Sequence, residues 1–348
     1  MNLIDLAERG LVPDTLIRFG IRRLCQERLR DELAFLTNHG SSGKDMRVEA
    51  LKSSPIAIET KAANEQHYDV PTEFYRYVLG KHMKYSCSWW DESTRNLSAS
   101  EEKMLAIYCE RAELANGQNI LELGCGWGSL SLWMASHYPE AQITVVSNSS
   151  SQRLFIESKA RESGLKNLDV ITCDINELVL EQRFDRIVSI EMFEHVRNYD
   201  ELFANIKGWL NDDGKLFVHI FCHRELLYPF ETDGVKNWMG QYFFTGGLMP
   251  SADTFNYFQH HLQLEQQWDI PGWHYQKTAE AWLDNMDINR AAIKAIFSKV
   301  YGAKDCQRWI QRWRMFFMSC AELFGYQDGQ EWQVCHYLFR KTPSATTD

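Results

Sequence analysis

The sequence predicts an α/β protein with a mainly parallel, seven-stranded sheet and helices on both faces. Five short apolar runs between residues 119 and 221 alternate with segments of helical periodicity, as in βαβ units. Two further runs, within 258–270 and at 332–341, would complete the sheet. An aromatic, helical stretch precedes the last run, so we expect a cap inserted over the strand ends.

Periodicity also assigns the segments around this core. IRRLCQERLRDELAFL repeats apolar positions at helical spacing, which predicts a helix. An aromatic, amphipathic stretch from residue 64 predicts another helix after Pro71. The expected regions are an N-terminal helical region (1–62), further helices (63–117), the core (118–221), a helical cap (222–328), the closing strand (329–341) and a tail (342–348).

Composition narrows the class of protein. The 37 Lys and Arg against 47 Asp and Glu give a net charge of −10, which does not favour nucleic acid or anionic lipid as a partner. Nine cysteines without a C-x-x-C pair argue against a disulfide framework or a zinc ribbon. No apolar run approaches the ~20 residues that span a bilayer. We expect a cytoplasmic protein without a membrane span and without a metal.

A glycine-rich loop follows the first core strand in ELGCGWGSL. Gly124, Gly126 and Gly128 allow a tight turn and a close approach of the backbone to a ligand. In open α/β sheets, ligands bind beyond the carboxyl ends of the strands, where this loop is expected. The absence of G-K-[ST] excludes a P-loop.

Polar residues after the next two strands extend this expected ligand site. Asn148 and Gln152 could bind a ribose diol where an NAD-binding fold would prefer an acid. Asp174 could accept the amino group of an adenine. It could instead cap the helical turn that begins at Ile175. Both readings of Asp174 stay open at this point.

The run VSIEMFEHV, residues 188–196, carries three ionisable groups among apolar neighbours. Buried carboxylates are costly unless they are paired, protonated or in use. If the chain turns helical after Ser189, spacings of three and four residues place Glu191, Glu194 and His195 on one face. The run is therefore either a structural ion network or an active site.

Several stretches together resemble one known family over residues 63–341. They are ANEQHYDVPTEFYRYVLGK, YSCSWW, LELGCGWGSLSLW, DRIVSIEMFEHV, LFVHIFCH, YFFTGGLMPSA and AELFGY…EW…HYLFRK. They resemble the cyclopropane fatty acid and mycolic acid synthase superfamily, and within it the coclaurine N-methyltransferase group.

The resemblance implies a class I methyltransferase fold that binds S-adenosylmethionine (SAM) and releases S-adenosylhomocysteine. Residues 63–117 would then form a helical lid over the SAM. The implied SAM-binding residues are Tyr68, Tyr85, Ser86, Glu122, Gly124, Gly126, Gly128, Asn148, Gln152, Asp174, Ile175 and Ile190.

The resemblance also implies that Glu191, Glu194 and His195 serve an amine acceptor. The lipid synthases usually carry glycine at the first of these positions, so Glu191 favours N-methylation of a small cyclic or aromatic, benzylisoquinoline-like amine. Aromatics would stabilise the ammonium by cation–π contact. The candidate substrate-binding residues are His219, Phe221, Tyr242, Phe243, Phe244, Trp273, Tyr275, Phe324, Tyr326 and Trp332.

The alternative is methyl transfer to a lipid alkene with bicarbonate as the base. The positions that resemble the bicarbonate site of cyclopropane synthases are Cys87, Glu194, His219, Ile220 and Tyr275. A scaffold protein that binds SAM without catalysis is a third hypothesis, which the intact glycine loop and carboxylates oppose. Related enzymes are often dimeric, which implies a possible homodimer.

Overall fold

The computed structural model describes residues 3–40, 42–59 and 70–342. In these ranges the strands are β1 (Asn119–Leu123), β2 (Gln142–Ser147), β3 (Leu168–Thr172), β4 (Phe184–Ile190), β5 (Leu210–His223), β6 (Tyr228–Pro229), β7 (Leu248–Met249), β8 (Leu262–Ile270) and β9 (Trp332–Lys341). Seven of them form one sheet in the order β3-β2-β1-β4-β5-β9-β8, while β6 and β7 pair separately.

The direction of the strands confirms the predicted sheet. Strands β1 to β5 pair in parallel, and β9 runs antiparallel between β5 and β8. The chain order reverses at β1, which lies between β2 and β4. Such a switch point opens a crevice at the carboxyl ends of the strands. The glycine loop after β1 and the VSIEMFEHV run after β4 both lie at this crevice.

Helices surround the sheet and form the regions before and after it. They are α1 (Leu3–Glu8), α2 (Asp14–His39), α3 (Ser42–Lys52), α4 (Thr72–Val78), α5 (Leu97–Arg111), α6 (Ser129–His137), α7 (Ser150–Glu162), α8 (Tyr199–Trp209), α9 (Trp238–Tyr242), α10 (Trp273–Ile288), α11 (Arg290–Val300) and α12 (Gly302–Phe324). The expected cap region is helical in α9 to α12 but also supplies β6, β7 and β8.

Both faces of the sheet are buried, as parallel strands require. Successive residues of β1 point to opposite faces. Ile120 belongs to a core cluster shared with Met104 and Tyr108 of α5, whereas Leu121 belongs to a second cluster with Phe203 of α8. The near-continuous apolar composition of β1 follows from this double burial.

Ion pairs fasten the N-terminal helices to the cap. The Arg18 guanidinium in α2 lies 2.6 Å from Glu280 in α10 and 2.9 Å from Glu322 in α12. Arg314 in α12 joins Asp14 and Asp287, each at 2.7 Å. The first helices are therefore fixed against the cap. No helix within the described ranges is long and apolar enough to cross a membrane.

Candidate active site

The glycine loop has a backbone that other residues would strain. Gly124 has φ +78°, and a Cβ there would lie 2.6 Å from Met192 Cβ. Gly128 has φ +76° and precedes α6, where a Cβ would lie 2.6 Å from Ile156 Cγ1. Gly126 has φ +52°, but a Cβ there would face open space. The loop is held close to the turn after β4 and leaves room for a ligand at Gly126.

A cavity beside this loop collects most of the predicted SAM-binding residues. Its described lining includes Tyr85, Ser86, Glu122, Gly124, Gly126, Asn148, Gln152, Ile175 and Ile190, together with Glu191 and His195.

Two predicted residues stand apart from this lining, and a third is not described. Gly128 lies behind it against Ile156. The carboxylate of Asp174 accepts a hydrogen bond from the Asn176 backbone N–H at 2.9 Å, which is the turn-capping reading that the sequence left open. Tyr68 lies outside the described residues.

The cavity wall offers polar atoms that a polar ligand could satisfy. Ser147 Oγ donates to Gln152 Oε1 at 2.6 Å, and the Gln152 Nε2 amide has no partner among the described residues. Trp127 Nε1 and Ser129 Oγ are likewise buried without a described partner, and both line the same cavity. Buried donors are normally satisfied, so this set fits the carboxylate and hydroxyl groups of SAM.

Glu191 forms the floor of the cavity and is held by three donors. Its Oε1 accepts from the Cys87 backbone N–H at 2.9 Å and from His219 Nε2 at 3.0 Å. Its Oε2 accepts from the Tyr275 hydroxyl at 2.7 Å. Cys87, His219 and Tyr275 belong to the predicted bicarbonate set, and here they bind a side-chain carboxylate.

The turn after β4 differs from the helix considered from the sequence. Glu191 has φ +49°, and Phe193–His195 form a single 3-10 turn. The three ionisable groups therefore do not share a helix face. A left-handed residue directly after a strand changes the direction of the chain, and the pattern of apolar residues does not reveal it.

Glu194 is buried inside the protein. Its Oε1 accepts from the Phe221 backbone N–H at 2.7 Å, and its Oε2 is buried without a partner among the described residues. Glu194 is absent from the described linings of both large cavities. It braces the end of β5 against the turn.

The two carboxyl groups have opposite electrostatic environments. Burial and the nearby charge of Glu191 raise the pKa of Glu194 well above its usual value. Burial also opposes ionisation of Glu191, but hydrogen bonding to His219 and the charge of Lys84 outweigh it and lower the pKa. Glu191 is therefore the anion at neutral pH, whereas the surroundings of Glu194 favour its neutral, protonated form.

His195 lies between two cavities. Its ring lines the first cavity and stacks on Phe244, with centroids 5.6 Å apart and planes 5° apart. Burial and the charge of Arg197 lower the pKa of His195 to about 4. The ring is therefore neutral at physiological pH and keeps a lone pair.

A second, apolar cavity adjoins the first through Tyr275 and Phe244. Four of the predicted substrate residues, Phe221, Phe244, Tyr275 and Phe324, line it. Its other described aromatics are Tyr228, Phe230, Trp238 and Phe316. Since Tyr275 donates to Glu191 and Phe244 stacks on His195, the ionised carboxylate and the neutral imidazole lie where the cavities meet.

The structure places the other predicted aromatics behind this wall. Each has an aromatic or cationic neighbour that accounts for its position. Phe243 stacks on Phe316, Trp332 Nε1 donates to the Tyr228 hydroxyl, Tyr326 packs edge-on against Trp332, Trp273 stacks on His274, and Tyr242 lies under the Arg312 guanidinium. They support the cavity and are not among its described lining residues.

Lys84 is a site residue that the sequence analysis missed. Its Nζ is buried, donates to Ser86 Oγ at 2.6 Å and lies 5.0 Å from the Tyr108 ring centroid. Burial lowers its pKa to about 8, although the charge of Glu191 opposes this shift. The sequence did contain a signal for it, because Lys84 is a single lysine in the apolar, aromatic stretch HMKYSCSWW. The carboxylates of VSIEMFEHV stand out among apolar neighbours in the same way.

Known proteins match this chain over nearly its whole length. The model of the family described as mycolic acid cyclopropane synthetase matches residues 57–334. The (S)-coclaurine N-methyltransferase of Thalictrum flavum subsp. glaucum is 36% identical over 353 aligned residues, covering 98% of this chain and 96% of that protein. The crystal structure of a coclaurine N-methyltransferase bound to N-methylheliamine and SAH has a TM-score of 0.91 and 35% identity, covering 97% of this chain and 99% of that one.

A lipid-modifying relative is more distant. The cyclopropane-fatty-acyl-phospholipid synthase of Escherichia coli K12 is 29% identical over 273 aligned residues. The match covers 78% of this chain and 66% of that protein.

Proposed function

The chain belongs to the mycolic acid cyclopropane synthetase family and is a SAM-dependent methyltransferase, and from this premise we propose that it methylates the nitrogen of a small cyclic or aromatic, benzylisoquinoline-like amine. One observation carries the choice of acceptor. The ionised Glu191 lies where the SAM cavity meets the aromatic cavity. A fixed carboxylate at that junction attracts a cationic amine and offers nothing comparable to an alkene.

The methyl group of SAM needs no activation by protein side chains. When bound, SAM supplies a methyl group on a positively charged sulfur. The acceptor nitrogen is the harder problem, because an aliphatic amine with a pKa near that of lysine, about 10.4, is protonated at neutral pH. The site must bind the ammonium form and then remove its proton.

We assign the two tasks to different groups. Glu191 binds the ammonium through its negative charge, and three hydrogen bonds hold its carboxylate. The neutral His195 ring accepts the proton of the ammonium, and the lone pair that this frees on nitrogen then attacks the methyl group, whose bond to sulfur breaks. General-base assistance of this kind contributes about 10²–10⁴-fold to the rate. Glu194 acts through the backbone of Phe221, so it is a positioning residue.

The aromatic cavity suits a cyclic amine. Phe221, Tyr275 and Phe324 surround the approach to Glu191, and the Tyr275 and Phe324 rings stack with centroids 4.3 Å apart. Ring faces stabilise the ammonium by about 0.5–2 kcal/mol each. They also align the nitrogen with the methyl group, which contributes through proximity.

The contacts of Glu191 also argue against methyl transfer to a lipid alkene. That reaction needs bicarbonate held by groups that resemble Cys87, His219 and Tyr275. These groups already donate to the Glu191 carboxylate. A second anion beside Glu191 would meet repulsion in a buried site.

Two further expectations remain part of the proposal. The first is a cytoplasmic location, which the nine unbridged cysteines support because free thiols persist in reducing compartments. The second is a homodimer, which light scattering of the purified chain would test.

Mass spectrometry after incubation with methyl-labelled SAM tests the proposed function. One pool contains secondary and tertiary cyclic amines, and a second contains unsaturated phospholipids. We expect label on the amines. Label in the acyl chains alone would overturn the N-methyltransferase assignment in favour of the bicarbonate mechanism.

A further inference from the structure

We propose that His336 and Arg111 are positioning residues that fix the tautomer of His219 and thereby keep the Glu191 carboxylate charged and oriented. The proposal rests on the amine-binding role of Glu191 given above. Neither His336 nor Arg111 lines the described walls of the two large cavities. Their influence would be exerted through hydrogen bonds across the sheet.

The sheet register brings these side chains into one row. Ile190 in β4 pairs with His219 in β5, and His219 pairs with His336 in β9. Directly paired residues project from the same face of a sheet. Arg111, at the end of α5, covers this face and lies over the Trp268 ring, 4.9 Å from its centroid. The row therefore leads from the turn after β4 to the half-buried end of α5.

The hydrogen bonds along the row have a fixed direction. Arginine can only donate, so Arg111 Nη1 donates to His336 Nδ1 at 2.7 Å. A neutral His336 then carries its proton on Nε2, which donates to His219 Nδ1 at 2.9 Å. His219 in turn carries its proton on Nε2 and donates to Glu191 Oε1 at 3.0 Å. The Arg111 guanidinium thus determines that His219 carries its proton on Nε2, the nitrogen that faces the Glu191 carboxylate.

A second line of donors converges on the same acceptor. Lys84 Nζ donates to Ser86 Oγ, and Ser86 hydrogen-bonds the Tyr108 hydroxyl. The Tyr108 hydroxyl then donates to His219 Nδ1 at 2.9 Å. Both lines begin at a cation, and their two donors share the single lone pair of His219 Nδ1. Protonation of that nitrogen would break the two hydrogen bonds together.

His219 consequently stays neutral while it donates to Glu191. The ionisable groups that face it are Glu191 after β4, Tyr108 and Arg111 on α5, His336 on β9, and Lys84 before the Cys87 segment. Burial lowers the pKa of His219 to about 4, against the raising effect of Glu191. If His219 became an imidazolium, it would neutralise the charge that attracts the amine.

The test removes both donors to Nδ1 and then restores one. The variant combines Tyr108→Phe with His336→Leu, and the matched control combines Tyr108→Phe with His336→Gln, whose amide can still donate. Nitrogen-15 NMR of histidine-labelled protein, without substrate, reports the tautomer of His219. We expect the neutral Nε2–H tautomer in the wild type and in the Gln control. In the Leu variant we expect an imidazolium, with protons on both Nε2 and Nδ1.

The kinetic readout is the acid limb of the profile of kcat/KM against pH, measured with an amine that the enzyme methylates. We expect the limb to move upward by about one pH unit in the Leu variant, a tenfold loss below the limb, and to stay in place in the Gln control. An unchanged tautomer and limb in the Leu variant would overturn the proposal. If that variant does not fold, Tyr108→Phe combined with Arg111→Met tests the same line from its outer end by the same two readouts, with Tyr108→Phe alone as its control. The NMR result needs no turnover, so a failed choice of acceptor is distinguishable from a failed role for His336.

Discussion

The hydroxyl of Tyr275 donates to Glu191 Oε2 across 2.7 Å, and this hydrogen bond joins the two cavities. Tyr275 comes from α10 of the inserted cap and lines the aromatic cavity, whereas Glu191 follows β4 and lines the SAM cavity. The cap therefore supplies a group that stabilises the anion on the floor of the core. In the proposed mechanism, the acceptor and SAM would meet beside this contact.

Tyr275→Phe should weaken acceptor methylation while SAM binding persists. A hydrogen bond to a charged group contributes about 1.5–3 kcal/mol, so we expect kcat/KM for the amine to fall about 10–100-fold. Its loss also raises the pKa of Glu191, because a donor to the ionised form disappears. Steady-state kinetics and calorimetric titration with SAH measure the two effects. A loss confined to SAH affinity would contradict this role.

Glu191→Gly should abolish most N-methylation and leave a binding site for a small oxyanion. Glycine tolerates the left-handed φ of +49° at this position, so the backbone should keep its course. The donors from Cys87, His219 and Tyr275 would lose their partner. The charge that binds the ammonium is lost, so we expect kcat/KM for the amine to fall about 100-fold or more, while SAM affinity changes little.

Added formate or bicarbonate should restore part of the activity of Glu191→Gly. Glu191→Gln is the matched control, because its side chain fills the space and carries no charge. Rescue of the Gly variant alone would support the donor arrangement described above. Parallel losses of turnover and SAM affinity, without rescue, would instead place Glu191 in cofactor binding.

Much of this architecture is predictable from the sequence, but the contacts that set the chemistry are not. Apolar runs and helical periodicity identify the seven-stranded sheet, and the glycine loop identifies the ligand crevice. The conformation of Glu191 depends on the neighbouring strands, and the run VSIEMFEHV is compatible with a helix. The pairing of His219 with His336 joins residues 117 positions apart, and no local pattern encodes that register. Aromatic composition likewise does not separate the cavity wall from the layer behind it.

His195→Ala should move the pH dependence of kcat to higher pH. The pKa of His195 is about 4, so the ring is a neutral acceptor from pH 5 upward. Without it, the amine must lose its proton to water before it attacks, and activity follows the free amine. We expect a loss of about 10²–10⁴-fold near pH 7 that diminishes as the pH rises.

Phe244→Leu is the control for His195→Ala. It removes the ring that stacks on His195 and leaves the imidazole in place. We expect KM to change and the pH profile to keep its position. A profile that stays unshifted in His195→Ala would remove His195 from the role of base.

Glu122→Gln should make the stability of the folded protein less dependent on pH between about 4.5 and 8. Burial raises the pKa of Glu122 from 4.5 to about 8, against the hydrogen bond from Ser131. The folded state then binds the proton more tightly than the unfolded chain, so wild-type stability falls as pH rises from about 4.5 to about 8. Glutamine removes this titration. Urea unfolding at pH 5 and pH 8 should give a smaller difference for the variant, and an equal difference would contradict the shift.

Gly124→Ala should destabilise the fold more than Gly126→Ala. Both positions have positive φ, at +78° and +52°, so both substitutions share the backbone cost of roughly 1–2 kcal/mol. Only at Gly124 would the new Cβ also overlap Met192, at 2.6 Å, which forces the turn bearing Glu191 to shift. We expect a lower urea midpoint and a larger loss of turnover for Gly124→Ala. Equal urea midpoints would show that the turn moves without a cost in stability. The close contact between the glycine loop and Met192 would then not hold Glu191 in position.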